Sequence, residues 1–196
     1  MAIAIIDDIR ARFNEAKGAL RLITFLSPTC GPCRYGQGVV RALFAASPDE
    51  RLEGYIVWVP MLHADNADAA RSHEQAITDA RLHFWFDADK AAANTWSSYI
   101  GYPGTTWDVY AVFDGAATWD QDAPPVPRIW MHQLNTTGAT RAEDRLDLDT
   151  LARKWLALTT GDAGPPNDLA EKLHAAGQAV SSAGTVAPPG PHRTTP

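Results

Sequence analysis

Residues 20–34 read Leu20-Arg21-Leu22-Ile23-Thr24-Phe25-Leu26-Ser27-Pro28-Thr29-Cys30-Gly31-Pro32-Cys33-Arg34. Leu22, Ile23, Phe25 and Leu26 make Leu20–Leu26 nearly continuously apolar, the pattern of a parallel strand covered on both faces. Ser27 and Pro28 end it. After the short turn through Thr29, Cys30 opens a helix whose body runs from Cys33 to about Ala46, with Val39, Val40, Leu43 and Phe44 on its inner side and Pro48 beyond its end. A helix N-terminus carries free backbone N–H groups and partial positive charge, which stabilise a thiolate and depress its pKa. Cys30 is therefore the exposed, nucleophilic candidate. Cys33, one turn further in, is close enough to attack a mixed disulfide on Cys30. Gly31 allows tight backbone geometry, and Pro32 fixes φ while lacking an N–H that the first helical turn does not use.

Outward from this string the chain alternates helices and strands. Ile3, Ile6, Ile9 and Phe13 recur at helical spacing, so residues 3–17 read as an amphipathic helix ending near Gly18. Tyr55–Val59 is the next buried strand, closed by Pro60. Asn66–Ala80 suits a helix, His83–Phe86 a short extended piece and Ala88 to about Ser98 another helix. Trp107–Phe113 and Arg128–Leu134 are strand candidates separated by an irregular Ala123–Pro127 run. Leu148, Leu151, Trp155 and Leu158 mark a last amphipathic helix. This order predicts an α/β fold with a central mixed sheet flanked by helices: the first two strands parallel, the last two closer together and antiparallel. Beyond about Thr160, Gly, Pro, Ala, Ser and Thr dominate. One domain over 1–160 and a disordered tail over 161–196 are expected, with at most a transient helix at Asp168–Ala179 too poor in apolar surface to dock.

Composition limits the function classes. The 196 residues are 45% hydrophobic and 20% charged, ordinary for one soluble core. A net charge of −6 without a basic run argues against a nucleic-acid partner. The start lacks a basic region followed by a long apolar stretch, and no apolar run reaches membrane-spanning length, so a cytoplasmic protein without a membrane partner is expected. Two cysteines within four residues cannot staple a scaffold, because the loop they close is too small to restrain the unfolded chain. In a reducing compartment such a pair is catalytic, redox-sensing or metal-binding more often than structural.

The segment Leu22–Arg34 resembles the active-site region of the thioredoxin-like superfamily, and Cys30-Gly31-Pro32-Cys33 is identical to the motif of thioredoxins proper. The resemblance implies a thioredoxin-like fold covering roughly residues 15–160, with an added N-terminal helix. It also implies a cis-proline opposite the dithiol, for which Tyr99–Thr106 nominates Pro103; an ordinary trans turn proline in Gly101-Tyr102-Pro103-Gly104 is the alternative. The separation from Cys30 to Pro103, 103 − 30 = 73 residues, is closer to the TlpA-like and peroxiredoxin-like branches, where a strand and a helix are inserted before that proline. Two departures from thioredoxin stand out: Thr29 replaces the aromatic residue before the first cysteine, and Thr24 stands where thioredoxin places a buried proton-accepting carboxylate. Deprotonation of Cys33 then needs water or another group.

The resemblance implies thiol–disulfide exchange with catalytic Cys30 and Cys33, a substrate groove of Thr29, Gly31, Pro32, Tyr102, Pro103 and Trp107, and no cofactor. Its partner would be a protein disulfide or a thioredoxin-reductase-like electron donor, and the chain is expected to be a monomer. Two alternatives stay open: a thiophilic-metal protein using Cys30, Cys33 and His63, and a non-catalytic adaptor. Peroxidase chemistry ranks lower, since Pro28-Thr29-Cys30 lacks the spacing it needs. Asp108 is either a buried carboxylate near the site or a sheet-edge hydrogen-bond acceptor. His132 reads as a satisfied core or edge histidine, Arg34 as solvent-facing, and most of the seven tryptophans as core.

Overall fold

Leu20–Leu26 is a strand with the bounds its pattern implies, and it lies at the centre of a five-stranded sheet. A computed structural model describes residues 4–47, 51–120, 123–134, 140–161 and 167–182. In chain order the elements are α1 (Ile5–Glu15), β1 (Leu20–Leu26), α2 (Gly31–Ala46), β2 (Leu52–Trp58), α3 (Ala67–Gln75), β3 (Leu82–Phe86), α4 (Ala91–Ile100), β4 (Val109–Phe113), β5 (Ile129–His132), α5 (Leu148–Thr159) and α6 (Asn167–Ser182). The strands lie in the order β3-β2-β1-β4-β5. β1, β2 and β3 are parallel, β4 is antiparallel to β1 and β5 is antiparallel to β4, so the sheet is mixed as expected. This is the thioredoxin-like α/β arrangement, with α1 added at the front and β3 and α4 lying before the 101–108 loop.

Alternation along β1 sorts its side chains onto two cores. Leu22 and Leu26 pack with Ile56, Trp58 and Val112 beneath α2, α5 and α6. Ile23 and Phe25 pack with Tyr55, Val57, Phe113, Trp96 and Trp119 beneath α1 and α4. Arg21 is wholly buried within this strand. Its guanidinium donates to the carbonyls of Phe13 (2.7 Å), Ala117 (3.0 Å) and Asp114, and lies 4.0 Å over the Phe13 ring. Burial lowers its pKa, and the carbonyl cage compensates the lost hydration. Asp87, also buried, caps α4 by accepting from the N–H groups of Ala92 (3.2 Å) and Ala93 (2.8 Å).

The C-terminal segment departs from expectation. Instead of a loose tail from residue 161, α6 is a helix of 16 residues docked along α2, with Leu169, Ala170 and Leu173 buried. Its apolar surface is small, but two glycines let the helix backbones approach unusually closely. A Cβ at Gly38 would lie 2.8 Å from the Ala176 carbonyl carbon, and one at Gly177 would lie 2.7 Å from Cδ2 of Tyr35. Arg34, expected in solvent, donates to the Val180 carbonyl at 2.6 Å, where a cation complements the carbonyl-rich end of a helix. Tyr35 and His174 add a 2.8 Å hydrogen bond. Residues 162–166 and 183–196, the rest of the expected tail, lie outside the described residues.

Candidate dithiol site

β1 ends at Leu26 and the chain turns through Ser27, Pro28 and Thr29 to Cys30, the N-cap of α2. Asp65, from the loop between β2 and α3, fixes this turn. Its carboxylate accepts from Ser27 Oγ (2.7 Å), the Thr29 N–H (2.9 Å) and Thr29 Oγ1 (2.6 Å), and from the N–H groups of Met61 (2.8 Å) and Leu62 (2.7 Å). Burial pushes its carboxyl up, but these hydrogen bonds outweigh it and the pKa is lowered. His73 Nε2 lies 2.8 Å from the Pro28 carbonyl, and its ring stacks on Trp58. No spacing signal in the sequence ties Asp65 or His73 to the cysteine turn.

Both thiols are free. Cys30 Sγ accepts from the Cys33 N–H at 3.5 Å, as a helix-capping anion would. Cys30 is less open than expected, retaining 5% exposure, while Cys33 retains none. Their acidities are pushed apart. A hydrogen bond from the Cys33 thiol holds the Cys30 pKa down against its own burial, whereas burial drives Cys33 far above the ordinary thiol range. Cys30 is thus the more acidic of the two thiols, and Cys33 beneath it the less acidic.

The third group against the sulfurs is Asp108. One ligand atom each from Cys30, Cys33 and Asp108 lies within 4.8 Å of the others. Antiparallel pairing of Phe25 with Val109 puts the start of β4 beside the end of β1, and the Asp108 N–H donates to the Phe25 carbonyl at 2.6 Å. Asp108 has φ 55°, a left-handed conformation that Asp and Asn tolerate best among residues with a side chain. Burial raises its pKa, partly offset by hydrogen bonds from Tyr110 and Gln133. Of the two sequence readings, the buried carboxylate is the one realised. Thr24 carries no such role: its hydroxyl donates across the sheet to the Val109 carbonyl at 2.7 Å.

The remaining site expectations fare unevenly. Gly31 and Pro32 are exposed at the tip of α2, and Thr29 is half-buried against Asp65. Trp107 is half-buried and touches both cores, while Tyr102 packs against the α1 and α4 side. Pro103 is exposed and its peptide bond is trans, so the implied cis-proline is not found; within the 101–108 loop, the side chain that converges on the sulfurs is that of Asp108. His63 is exposed in the loop after β2 and does not join the two thiols. Three donors fall one short of a closed zinc site. His132 is buried, with Nε2 2.9 Å from the Arg141 carbonyl and no partner for Nδ1 among the described residues, so it is a core histidine satisfied on one side only.

No protein-family model matches the chain, and no curated protein matches it. Ten chains of solved structures match it, the following two among them. MTB DsbF, in its mixed oxidized and reduced forms, is 18% identical with a TM-score of 0.47, over 74% of this chain and 85% of that one. A secreted Mycobacterium tuberculosis disulfide oxidoreductase homologous to E. coli DsbE is 16% identical with a TM-score of 0.45, over the same 74% and 85%. At such identities the likeness says nothing of this chain's chemistry, which has to be read from its own residues. Among the described residues no helix is long and apolar enough to cross a membrane.

Proposed function

We propose that the chain is a thiol–disulfide oxidoreductase in which Cys30 attacks a partner disulfide and Cys33 resolves the mixed disulfide. The observation that supports this most is the opposed acidity of two free thiols at one helix start. Cys30, at the N-cap of α2, has its pKa lowered, while Cys33 beneath it is kept protonated by burial. Attack then begins from Cys30 alone, and Cys33 reacts only after Cys30 is engaged. The exposed Gly31-Pro32 tip, with Trp107 half-buried in the loop that ends at Asp108, is the surface we assign to a docked protein disulfide. A dithiol donor of the thioredoxin-reductase type would return electrons in the reductive direction.

Equilibrating the purified chain in glutathione buffers of graded potential, then alkylating and weighing it, tests the reading. The expected result is a single two-electron transition between dithiol and intramolecular disulfide. A pair that stays reduced in fully oxidising buffer refutes it.

A further inference from the structure

Cys33 cannot lose its proton to bulk water, because it has no exposed surface and burial holds the thiol neutral. While Cys30 is a thiolate, its sulfur accepts the Cys33 proton in a hydrogen bond. Once Cys30 is bonded to a partner's sulfur, that acceptor has lost its charge. Among the described residues, Asp108 is the other acidic or basic group gathered with the two sulfurs, with a carboxylate oxygen within 4.8 Å of the Cys33 sulfur. Its setting is built from three parts of the chain: β4, the residue after β5, and α2. Tyr110 Oη donates to Asp108 Oδ1 at 2.6 Å, and Gln133 Nε2 donates to the same oxygen at 3.0 Å. The same Gln133 amide reaches the Pro32 carbonyl at 3.4 Å, tying the carboxylate to the cysteine turn. Gly36 in α2 makes room for the phenol, since a Cβ there would lie 2.6 Å from Tyr110 Cζ.

From this arrangement we infer that Asp108 is the proton acceptor for Cys33 in the resolving step, with Tyr110 and Gln133 as its positioning residues. The inference rests on the exchange reading above. In the step, the Cys33 S–H proton passes to the Asp108 carboxylate and the sulfur's electron pair forms the Cys33–Cys30 bond. The bond from Cys30 to the partner sulfur breaks, and its electron pair leaves on the partner thiolate, which takes a proton from Asp108 or from solvent. The chain's dithiol is oxidised by two electrons and the partner disulfide is reduced by two. An external dithiol reverses the sequence, with Asp108 returning the proton to Cys33. Burial suits the carboxylate to this task, because a raised pKa makes it a stronger base. The titratable groups facing it are Cys30 and Cys33 from α2, Tyr110 from β4 and His132 from β5, and a positive His132 would favour its charged form.

A nitrothiobenzoate disulfide reagent separates the two thiols in one stopped-flow trace of the full chain. Attack by Cys30 releases the first coloured thiol and attack by Cys33 the second. In Asp108→Asn, which keeps a side chain tolerant of the left-handed backbone, the first phase is expected to be no slower than wild type, since the Asp108 charge opposes the Cys30 thiolate. The second phase should slow about 100-fold, and a loss of less than about tenfold overturns the inference. Tyr110→Phe should move the pH midpoint of the second phase upward, because the lost hydrogen bond had been holding the Asp108 pKa down; an unmoved midpoint also overturns it. Failure of the exchange reading looks different: the wild-type chain itself then releases only one equivalent or none.

Discussion

A Cβ added at Gly38 decides whether α6 belongs to the folded domain. In an exposed helix, Gly→Ala stabilises by about 1 kcal/mol through helix propensity. Here the new methyl would meet three backbone atoms of α6: the Ala176 carbonyl carbon at 2.8 Å, the Gly177 Cα at 2.9 Å and the Ala176 carbonyl oxygen closer still. Backbone cannot escape by a rotamer change, so the cost belongs at the upper end of the ~1–3 kcal/mol typical of overpacking. Net of the propensity gain, Gly38→Ala should destabilise by roughly 2 kcal/mol. Detaching α6 altogether would instead forfeit burial of Leu169 and Leu173, about 1.5–3 kcal/mol for each side chain, so a shift of the helix is the cheaper response. With a urea m-value of about 2 kcal/mol/M, the midpoint should fall by about 1 M. Gly31→Ala, where a Cβ meets nothing within 4 Å, is the control and should leave it nearly unchanged. A Gly38→Ala midpoint that rises would show that α6 does not rest on α2, and the docking account would fail.

Three further outcomes follow from the site. Native protein should be alkylated at Cys30 below the ordinary thiol pH range while Cys33 stays unmodified, with the difference abolished in urea; equal native rates, read by mass spectrometry of peptides, would contradict the opposed acidities. Asp65→Ala should cost about 2–3 kcal/mol by chemical denaturation, because five donors lose a charged acceptor, and in the folded fraction the Cys30 pKa should fall further as an opposing charge is removed. On the alkaline side, burial raises the folded pKa values of Cys33, Tyr55 and Tyr110, so their stabilisation is complete below the unfolded values and is lost as pH rises past about 8.5 for the thiol and about 10 for the phenols. Reduced protein should therefore lose stability above about pH 8.5, less steeply in Cys33→Ala, and an unchanged slope in that variant would contradict the assignment.

The strand, turn and helix carrying the cysteines were legible in the chain because each is a local pattern. A run of apolar residues marks a strand buried on both faces, Ser27 and Pro28 stop it, and a helical repeat from Val39 to Phe44 follows. Order and class of the other elements came from the same periodicities, with ends displaced by a few residues; β2, for example, starts at Leu52 rather than Tyr55. Three features depend on long-range geometry. Asp108 lies 108 − 33 = 75 residues from Cys33 and reaches it only because β4 pairs antiparallel with β1 and leaves its first flank against the cysteine turn. An acidic residue between Trp107 and Val109 is an oddity at the head of a buried strand, yet nothing local says which group it faces. The sequence likewise nominated Pro103 for the place opposite the thiols, where the fold puts Asp108. α6 looked too poor in apolar residues to dock, since hydrophobicity counts side chains and is blind to how closely two glycine-bearing backbones can approach. Sequence thus determined that two thiols stand at a helix start, because that follows from neighbouring residues. Tertiary structure alone decided which carboxylate lies against those thiols, because strand pairing joins residues that no local period connects.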